Sequence, residues 1–278
     1  LGDKVTSIGG NAFSGATSLE ALTIPNSMTS IGSNAFYGAS AITELIIPDS
    51  VATLGSRAFY GTSLLESLTL GNGITSITDY LFRDAIKLTS ITIPSSVTSI
   101  GQGAFQNTGL TSLVIPDSVT SIGENSFYNA PITSLVLGES LQEWRTDAFY
   151  NICNTLTSLE INAASIPDYA FNDCSNLVSL TLGDKVTSIG GNAFSGATSL
   201  ESIIVPASVT NIGSYAFAYS QTSTLYLAEG LVEIGDGAFR GSPLIAVTIP
   251  DSVISIGALA FDFIGKVAIF VDDLDGDL

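Results

Sequence analysis

A phenylalanine recurs along the whole chain at intervals of 22 or 23 residues. A fixed period in the twenties is typical of solenoid proteins, in which one repeat is too small to bury its own apolar side and must stack on its neighbours. The period therefore predicts an elongated stack of coils with one phenylalanine in each. The series contains twelve of the 14 phenylalanines: Phe13, Phe36, Phe59, Phe82, Phe105, Phe127, Phe149, Phe171, Phe194, Phe217, Phe239 and Phe261.

The stretch LTSITIPSSVTSIGQGAF, residues 88–105, shows the pattern that the other repeats vary. Its opening, L-x-x-L-x-I, places the fourth and sixth residues on one face of a short strand, because side chains alternate along β-structure. Each repeat is therefore expected to contribute one parallel strand with these two residues facing inward. Examples are Leu22 with Ile24, Ile91 with Ile93, and Leu113 with Ile115.

The second half of the repeat carries the turns. Proline or glycine follows the strand directly, and proline ends a ladder because it has no N–H to donate. Val97 and Ile100 are then expected to point back into the core. The glycine after that isoleucine is expected to adopt a positive φ before a short helical turn that carries Ala-Phe. The glycines in question are Gly32, Gly55, Gly101, Gly123, Gly190, Gly213, Gly235 and Gly257.

Charge and composition narrow the classes of function. Acidic residues outnumber basic ones by 26 to 8, a net charge of −18. Such a surface repels phosphate backbones and anionic lipids, so nucleic acid and bare membrane are disfavoured as partners, and no apolar run reaches the length of a bilayer span. The chain has no histidine, which excludes Ser-His-Asp, Cys-His and histidine-metal sites. We therefore predict no enzymatic activity.

Two stretches depart from the repeat pattern. Thr78 takes the place of a repeat glycine, and further on Trp144 and Arg145 replace the inward isoleucine and its glycine. Sequence drift that local repacking of side chains absorbs is favoured over a bend in the solenoid or a binding site. Residues 1–20 are identical to residues 182–201, which indicates duplication of a block.

The two cysteines, Cys153 and Cys174, follow the repeated phenylalanine of neighbouring coils by four and three residues. They are expected within disulfide reach, although one position out of register. The favoured interpretation is two buried thiols that act as small hydrophobic side chains.

The repeat L-x-x-L-x-I-P-x-x-V-x-x-I-G-x-x-A-F resembles the BspA-like class of leucine-rich repeats, in about twelve copies over residues 1–271. The resemblance implies one leucine-rich-repeat solenoid, a right-handed curved horseshoe. It also implies parallel strands on the concave side and short helical or 3-10 turns outside. Members of this class are secreted or surface-anchored, several are adhesins, and they share no catalytic residues. We expect an extracellular or cell-surface protein that is monomeric.

The concave face is predicted to be mostly serine and threonine, because positions two, three and five of each strand unit face solvent. Towards the C-terminus these positions become apolar or aromatic, which predicts an exposed strip. An exposed apolar patch often marks an interface, and tyrosine is a common anchor. A further module that covers the strip would explain it equally well. The candidate ligand-binding residues are Ile204, Tyr226, Ile245, Val267, Phe270 and the charged Glu160.

Residues 272–278 form an acidic tail, with Asp273, Asp275 and Asp277 in the pattern D-x-D-G-D. The pattern resembles the opening of calcium-binding loops of the EF or thrombospondin type-3 kind, although the distal glutamate of an EF loop is absent. Two interpretations stay open: a Ca²⁺ site at the start of a truncated linker, or a plain acidic tail. No other cofactor is predicted.

These observations favour a recognition scaffold or adhesin that binds a protein or glycan of another cell or of the extracellular matrix. A structural spacer within a larger surface protein is the first alternative. The second is ice or mineral binding through rows of threonine, since a Thr-Ser pair precedes the inward isoleucine in many coils, as at Thr98-Ser99.

Overall fold

A computed structural model describes residues 1–262 and the strand Ala268–Val271. The chain forms two compact units, Leu1–Ile152 (unit one) and Cys153–Leu278 (unit two). Within each unit the chain winds as a β-solenoid of stacked turns with very little helix. The prediction of a single solenoid over residues 1–271 concerns how the two units join, and it stays a prediction.

Unit one contains eleven short strands. In chain order they are β1 (Ser7–Ile8), β2 (Ser30–Ile31), β3 (Glu44–Ile47), β4 (Thr53–Leu54), β5 (Ser67–Leu70), β6 (Ser76–Ile77), β7 (Ser99–Ile100), β8 (Ser112–Ile115), β9 (Ser121–Ile122), β10 (Ser134–Leu137) and β11 (Glu143–Trp144).

Unit two continues the same alternation of lengths in its described part. Its strands are β12 (Ser158–Ile161), β13 (Ser165–Ile166), β14 (Ser179–Leu182), β15 (Ser188–Ile189), β16 (Ser202–Val205), β17 (Asn211–Ile212), β18 (Thr224–Leu227), β19 (Glu233–Ile234), β20 (Ala246–Ile249), β21 (Ser255–Ile256) and β22 (Ala268–Val271).

The four-residue strands, called front strands below, are those that the L-x-x-L-x-I pattern predicts. Their second and fourth residues are buried and their first and third exposed, as at β3, β8 and β16. Within the units they pair in parallel: β3 with β5, β8 with β10, β12 with β14, β16 with β18, and β20 with β22. The inward faces and the parallel direction are therefore confirmed, but pairing breaks the front sheet at intervals.

Two predicted front strands do not form. Leu22–Ile24 and Ile91–Ile93 have no strand hydrogen bonding, although Ile24 and Ile93 are still buried. Residues 90–92 stand apart from β5, with a groove of about 210 Å³ between them. A strand needs a neighbouring strand at hydrogen-bonding distance. Ile24 and Ile93 therefore keep their inward orientation although no parallel strand pairs with these segments.

Each coil also forms a second, two-residue strand, called a back strand below, which the sequence analysis did not predict. In unit one these strands pair as β1-β2-β4 and β6-β7-β9-β11, and in unit two as β13-β15-β17-β19-β21. The register is exact from coil to coil, with Ser99 opposite Ser121 and Ile100 opposite Ile122. The inward isoleucines therefore sit in a parallel ladder, with the preceding serine on the outside.

The turns that carry the phenylalanines interlock neighbouring coils. In the turn after β2 the N–H groups of Ala35 and Tyr37 donate within the turn, while those of Phe36 and Gly38 donate to the next coil, at 2.8 and 2.7 Å. Only Thr146–Phe149 and Ile152–Asn154 are 3-10 helices among the described residues. Short helical turns were predicted for the outer side. Most of them are instead turns in which successive N–H groups donate alternately within the coil and to the next coil.

The phenylalanine series forms the centre of each unit. In unit one the rings from Phe13 to Phe149 stack in sequence, and in unit two those from Phe171 to Phe261 do the same. Ring centroids of adjacent coils lie 5.1–5.8 Å apart. The rings between the first and last of each stack are buried, so each coil completes the core of its neighbours.

The repeat glycines have a different role from the predicted one. None of the eight adopts a positive φ; that conformation falls two residues later, at Asn34, Arg57, Gly103, Asn125, Asn192, Tyr215, Gly237 and Leu259. A Cβ on Gly213 would lie 2.6 Å from the backbone nitrogen of Gly191 in the preceding coil. Glycine is required here because the coils approach each other too closely for a side chain.

The acidic turn residues serve the same stacking. The Asp49 carboxylate accepts a hydrogen bond from the Asn72 N–H at 2.7 Å, and the Asp117 carboxylate accepts one from the Glu139 N–H at 3.0 Å. These bonds cross from one coil to the next. Each carboxylate accepts from a backbone N–H of the next coil, so these exposed side chains have a structural function in the described residues.

Cys153 and Cys174 form a disulfide. The prediction of two free thiols is therefore wrong. The expectation that the two cysteines lie within disulfide reach is confirmed, with Cys153 in the 3-10 helix Ile152–Asn154.

Thiol titration checks this pairing. We expect no reactive thiol in the denatured chain without a reductant and two after reduction, because both cysteines of the sequence are in the bond. Two thiols in the denatured, non-reduced chain would contradict the disulfide.

Candidate functional site

The front face of unit two brings together part of the predicted strip. Ile204 and Tyr226 are opposite each other in the parallel pair β16–β18. Both are third residues of their strands and are exposed, Ile204 by 66% and Tyr226 by 60%. The residues around them at outward positions, Ser202 and Thr224, are polar. An aliphatic and an aromatic side chain therefore stand together on a serine and threonine background.

Ile245 belongs to a different row. It is exposed by 72% and lies just before β20, where its N–H donates to the Ser223 carbonyl oxygen at 3.5 Å. The residue of β20 that is equivalent to Ile204 and Tyr226 is Thr248. The candidate residues thus do not form one continuous row, because Ile245 is at the start of its strand and the other two are at the third position.

A groove separates β18 from β20, which are not hydrogen-bonded to each other. Its volume is about 480 Å³, and Tyr226, Glu229 and Thr248 are among the residues that line it. Leu225 and Leu227 face into the unit below it. The tyrosine therefore stands at the edge of a depression and not on a flat sheet.

Glu160 lies farther along the same front face. It is opposite Thr181 in the pair β12–β14, and its carboxylate accepts a hydrogen bond from the Asn162 amide at 3.0 Å. Thr181 lies at the equivalent row position between Glu160 and Ile204 along the repeats. Glu160 is therefore on the predicted face but does not adjoin the apolar pair.

Several predicted site residues fall where no side chain is described. Val267 and the tail residues Asp273, Asp275 and Asp277 lie outside the described residues. The backbone of Phe270 is opposite Thr248 in the pair β20–β22. The calcium prediction for the tail and the binding prediction for Val267 and Phe270 stay predictions.

Exposed apolar residues also occur on the front face of unit one. Ile46 and Val114 are exposed by about half, at the third positions of β3 and β8. Val114 is opposite Val136 in β10. Strand alternation alone places all three on this face, although none of them was predicted as a site residue.

The threonine rows are explained by hydrogen bonds between coils. Each hydroxyl donates to the backbone carbonyl of a threonine in the preceding coil, at 3.0–3.2 Å. An internal acceptor accounts for these rows without a ligand. The threonines concerned are Thr29, Thr98, Thr120 and Thr210.

We therefore expect no thermal hysteresis from the purified chain, because these hydroxyls already donate to the protein backbone. Nanolitre osmometry measures this directly. A gap between melting and freezing points that grows with protein concentration would contradict the expectation and revive the ice-binding alternative.

Tyrosines stack along the turns of unit one that carry the phenylalanines. The rings of Tyr37 and Tyr60 lie 4.8 Å apart, and the Arg83 guanidinium is 5.5 Å from the Tyr60 ring. Burial raises the pKa of the Tyr60 hydroxyl, a hydrogen bond with Asp84 raises it further, and Arg83 opposes both. These contacts join adjacent coils, which accounts for the tyrosines as packing at the rim of the core.

The described residues hold no cluster of three or more acidic, cysteine or histidine side chains that could bind a metal ion. In the same part of the chain no helix is long and apolar enough for a membrane crossing.

The chain is similar to known repeat proteins. A family model for the BspA-type leucine-rich repeat region matches it in six copies, over residues 1–109, 98–222 and 142–267. A leucine-rich repeat protein from Bacteroides ovatus ATCC 8483 is 27% identical with a TM-score of 0.69, over 97% of this chain and 76% of that one.

Two other solved structures are similar at lower scores. A leucine-rich repeat protein from Eubacterium ventriosum ATCC 27560 is 25% identical with a TM-score of 0.47, over 78% of this chain and 69% of that one. A leucine rich cell surface protein from Faecalibacterium prausnitzii A2-165 is 22% identical with a TM-score of 0.38, over 97% and 83%. No curated protein sequence matches the chain.

Proposed function

This chain belongs to the BspA-type leucine-rich repeat family, and from that premise we propose that it is a non-catalytic recognition scaffold at the cell surface. Its front strands bind a protein or glycan partner of another cell or of the extracellular matrix. The observation that carries the proposal is the register pair of Ile204 and Tyr226, exposed side by side on a face of serine and threonine.

The chemistry of the front face favours binding by area and shape. The other outward positions of β14, β16 and β18 are short polar side chains, so no charged residue of these strands adjoins the apolar pair. A tyrosine beside an aliphatic residue presents a large apolar contact with a polar tip, which is typical of the central anchors of interfaces. The groove next to Tyr226 offers a depression that a partner side chain or sugar can enter.

The cellular location is part of the proposal. The Cys153–Cys174 disulfide supports it, because disulfides persist in oxidising compartments such as the extracellular space. A right-handed curvature with the front strands on the concave side, and a monomeric state, are further predictions that follow from the family.

The test is a double variant, Ile204→Ser with Tyr226→Ser, assayed against arrays of purified matrix proteins and host glycans and against cultured cells. Loss of two apolar anchors is expected to weaken binding by about thirtyfold or more, since even one anchor of this kind contributes about 2 kcal/mol or more. The matched control is Ile46→Ser, which removes an exposed isoleucine from the equivalent strand position in unit one.

Unchanged binding of the double variant, with wild-type circular dichroism, would contradict recognition through this face. Absence of any binding by the unmodified chain would favour the structural spacer, whose role depends on length and not on these side chains. A loss in the Ile46→Ser control equal to that in the double variant would move the interface to unit one.

A further inference from the structure

A groove on the back face of unit one is lined in part by residues that break the repeat. Its volume is about 720 Å³, within the roughly 300–1,000 Å³ typical of ligand sites. Gly101 and Gly123 lie along it, and Thr78 and Arg145 occupy the same repeat position one coil before and one coil after them. Thr78 and Arg145 are thus the larger residues at this repeat position along the groove, whereas Gly101 and Gly123 lie against the backbone of the preceding coil.

The wall of the groove is a row of hydroxyl groups. Ser76, Ser99 and Ser121 are opposite one another in β6, β7 and β9, and Glu143 continues the row in β11. Adjacent strands are roughly 4.8 Å apart, so a hydroxyl or carboxylate recurs at that spacing. Gln102 and Gln142 also line the groove. Its polar groups therefore include groups that donate and groups that accept hydrogen bonds.

The backbone of this face is not free for a peptide strand. The Gly101 N–H donates to the Ile77 carbonyl at 2.7 Å, and the Gly123 N–H donates to the Ile100 carbonyl at 2.8 Å. Strand addition needs unpaired backbone groups, and these are already used between coils. The apolar lining residues Ile100, Ile122 and Trp144 are almost fully buried, so the groove has no pocket for an apolar side chain of a peptide.

The charged residues that line the groove favour uncharged over acidic polyhydroxylated molecules. Asp79 and Glu143 line it, while Arg145 pairs with Glu124 at 3.1 Å. The carboxylates repel an acidic sugar, and the only lining cation already has a carboxylate partner. Carboxylates, amides and hydroxyls are suited to binding the vicinal hydroxyls of uncharged sugars.

We propose that this groove, lined by Thr78 and Arg145, binds an uncharged oligosaccharide. The site is independent of the front face, so the ligand need not be the partner proposed for Ile204 and Tyr226. It also gives the irregular repeats at Thr78 and Trp144–Arg145 a role other than the sequence drift that the sequence analysis favoured.

The chain carries its own reporter for this site, since its one tryptophan, Trp144, lines the groove. The test titrates the whole chain with cellotetraose, chitotetraose and maltotetraose, with tetragalacturonate as the acidic comparison and an uncharged Ser-Thr-Gly peptide as the peptide comparison. Tryptophan emission and titration calorimetry are recorded together. We expect a saturable emission change with heat for at least one uncharged saccharide, and neither signal for the acidic sugar or the peptide.

Two pairs of variants test the location. Ser99→Tyr fills the groove and is expected to abolish binding, whereas Ser188→Tyr, at the same position of a back strand in unit two, leaves it unchanged. Glu143→Gln keeps the shape and is expected to weaken binding about tenfold through loss of a charged hydrogen bond. Its control is Glu233→Gln, also the first residue of a back strand. The second pair serves if Ser99→Tyr does not fold.

Absence of both emission change and heat with all three uncharged saccharides overturns the proposal. Binding of only the peptide or only tetragalacturonate also overturns it, because the ligand would then be of another class. Equal effects of Glu143→Gln and Glu233→Gln place the site elsewhere and overturn the assignment to this groove.

Discussion

Phe194→Ala lowers the free energy of unfolding by about 3–5 kcal/mol, the usual result of deleting a fully buried ring. Phe194 is completely buried, with Phe171 stacked on one side at 5.8 Å and Phe217 on the other at 5.2 Å. Its removal leaves a cavity between two coils, and both neighbours lose a ring contact. Chemical denaturation followed by circular dichroism measures the change.

The duplicated block supplies a control for this change. Phe13 occupies the same place in the identical residues 1–20, but it is 38% exposed and stacks only on Phe36. Phe13→Ala is therefore expected to cost about 1–2 kcal/mol, since less surface returns to water and less cavity is formed. If the two substitutions had equal effects, stacking between coils would not be the source of the stability.

Gly190→Ala is expected to destabilise the chain by about 3 kcal/mol, at the upper end of what overpacking costs. A methyl group there would lie 2.5 Å from the Asp168 nitrogen and 2.5 Å from the Pro167 carbonyl carbon. Both atoms belong to the backbone of the preceding coil, so the substitution must push two coils apart. Thermal and chemical unfolding both report the change.

Gly9 is the counterpart of Gly190 in the duplicated block, with the same flanking sequence. A Cβ on Gly9 would meet nothing within 4 Å. Gly9→Ala is expected to be neutral or to stabilise by up to about 1 kcal/mol, because alanine restricts the unfolded chain. A loss of stability in Gly9→Ala as large as that in Gly190→Ala would show that the backbone conformation, and not the spacing of coils, requires glycine.

Much of the fold could be predicted from the sequence because it depends on local periods. The 22–23-residue spacing of phenylalanine and the alternation in L-x-x-L-x-I each reflect a rule that acts within one repeat. The inward pairs such as Leu113 with Ile115, the inward Val97 and Ile100, and the strand ends before Pro48 and Pro116 are confirmed. These features need no knowledge of how far apart the coils lie.

The predictions that were wrong concern features that depend on the distance between coils. A recurring glycine is compatible with a positive φ or with close approach of two backbones, and the sequence of one repeat does not distinguish them. The positive φ falls two residues later, on Asn or Gly in five of the eight coils, which favour it, and on Arg57, Tyr215 and Leu259 in the other three, which carry no sequence signal for it. The back strands were not predicted either, because two residues are too few to show a periodicity.

The candidate site, like the fold, could be predicted only in part from the sequence. The exposure of Ile204 and Tyr226 followed from strand alternation and is observed, and their direct opposition follows from the register of β16 and β18. Ile245 was assigned to the same strip because the exposed positions were grouped without separating their rows. The groove lined by Thr78 and Arg145 could not be predicted, because its volume depends on the spacing of five successive coils.

The most direct test of stacking as the source of the fold is the comparison of two deletions in unit two. Removal of residues 190–212 takes out one complete coil, because Ile189 and Ile212 are opposite each other in β15 and β17. Removal of residues 190–200 takes out half a coil and shifts every later inward residue. We expect the first variant to keep a cooperative unfolding transition and strand circular dichroism, and the second to lose both in unit two. Equal damage from the two deletions, or tolerance of only the half-coil deletion, would contradict a structure built from interchangeable stacked coils.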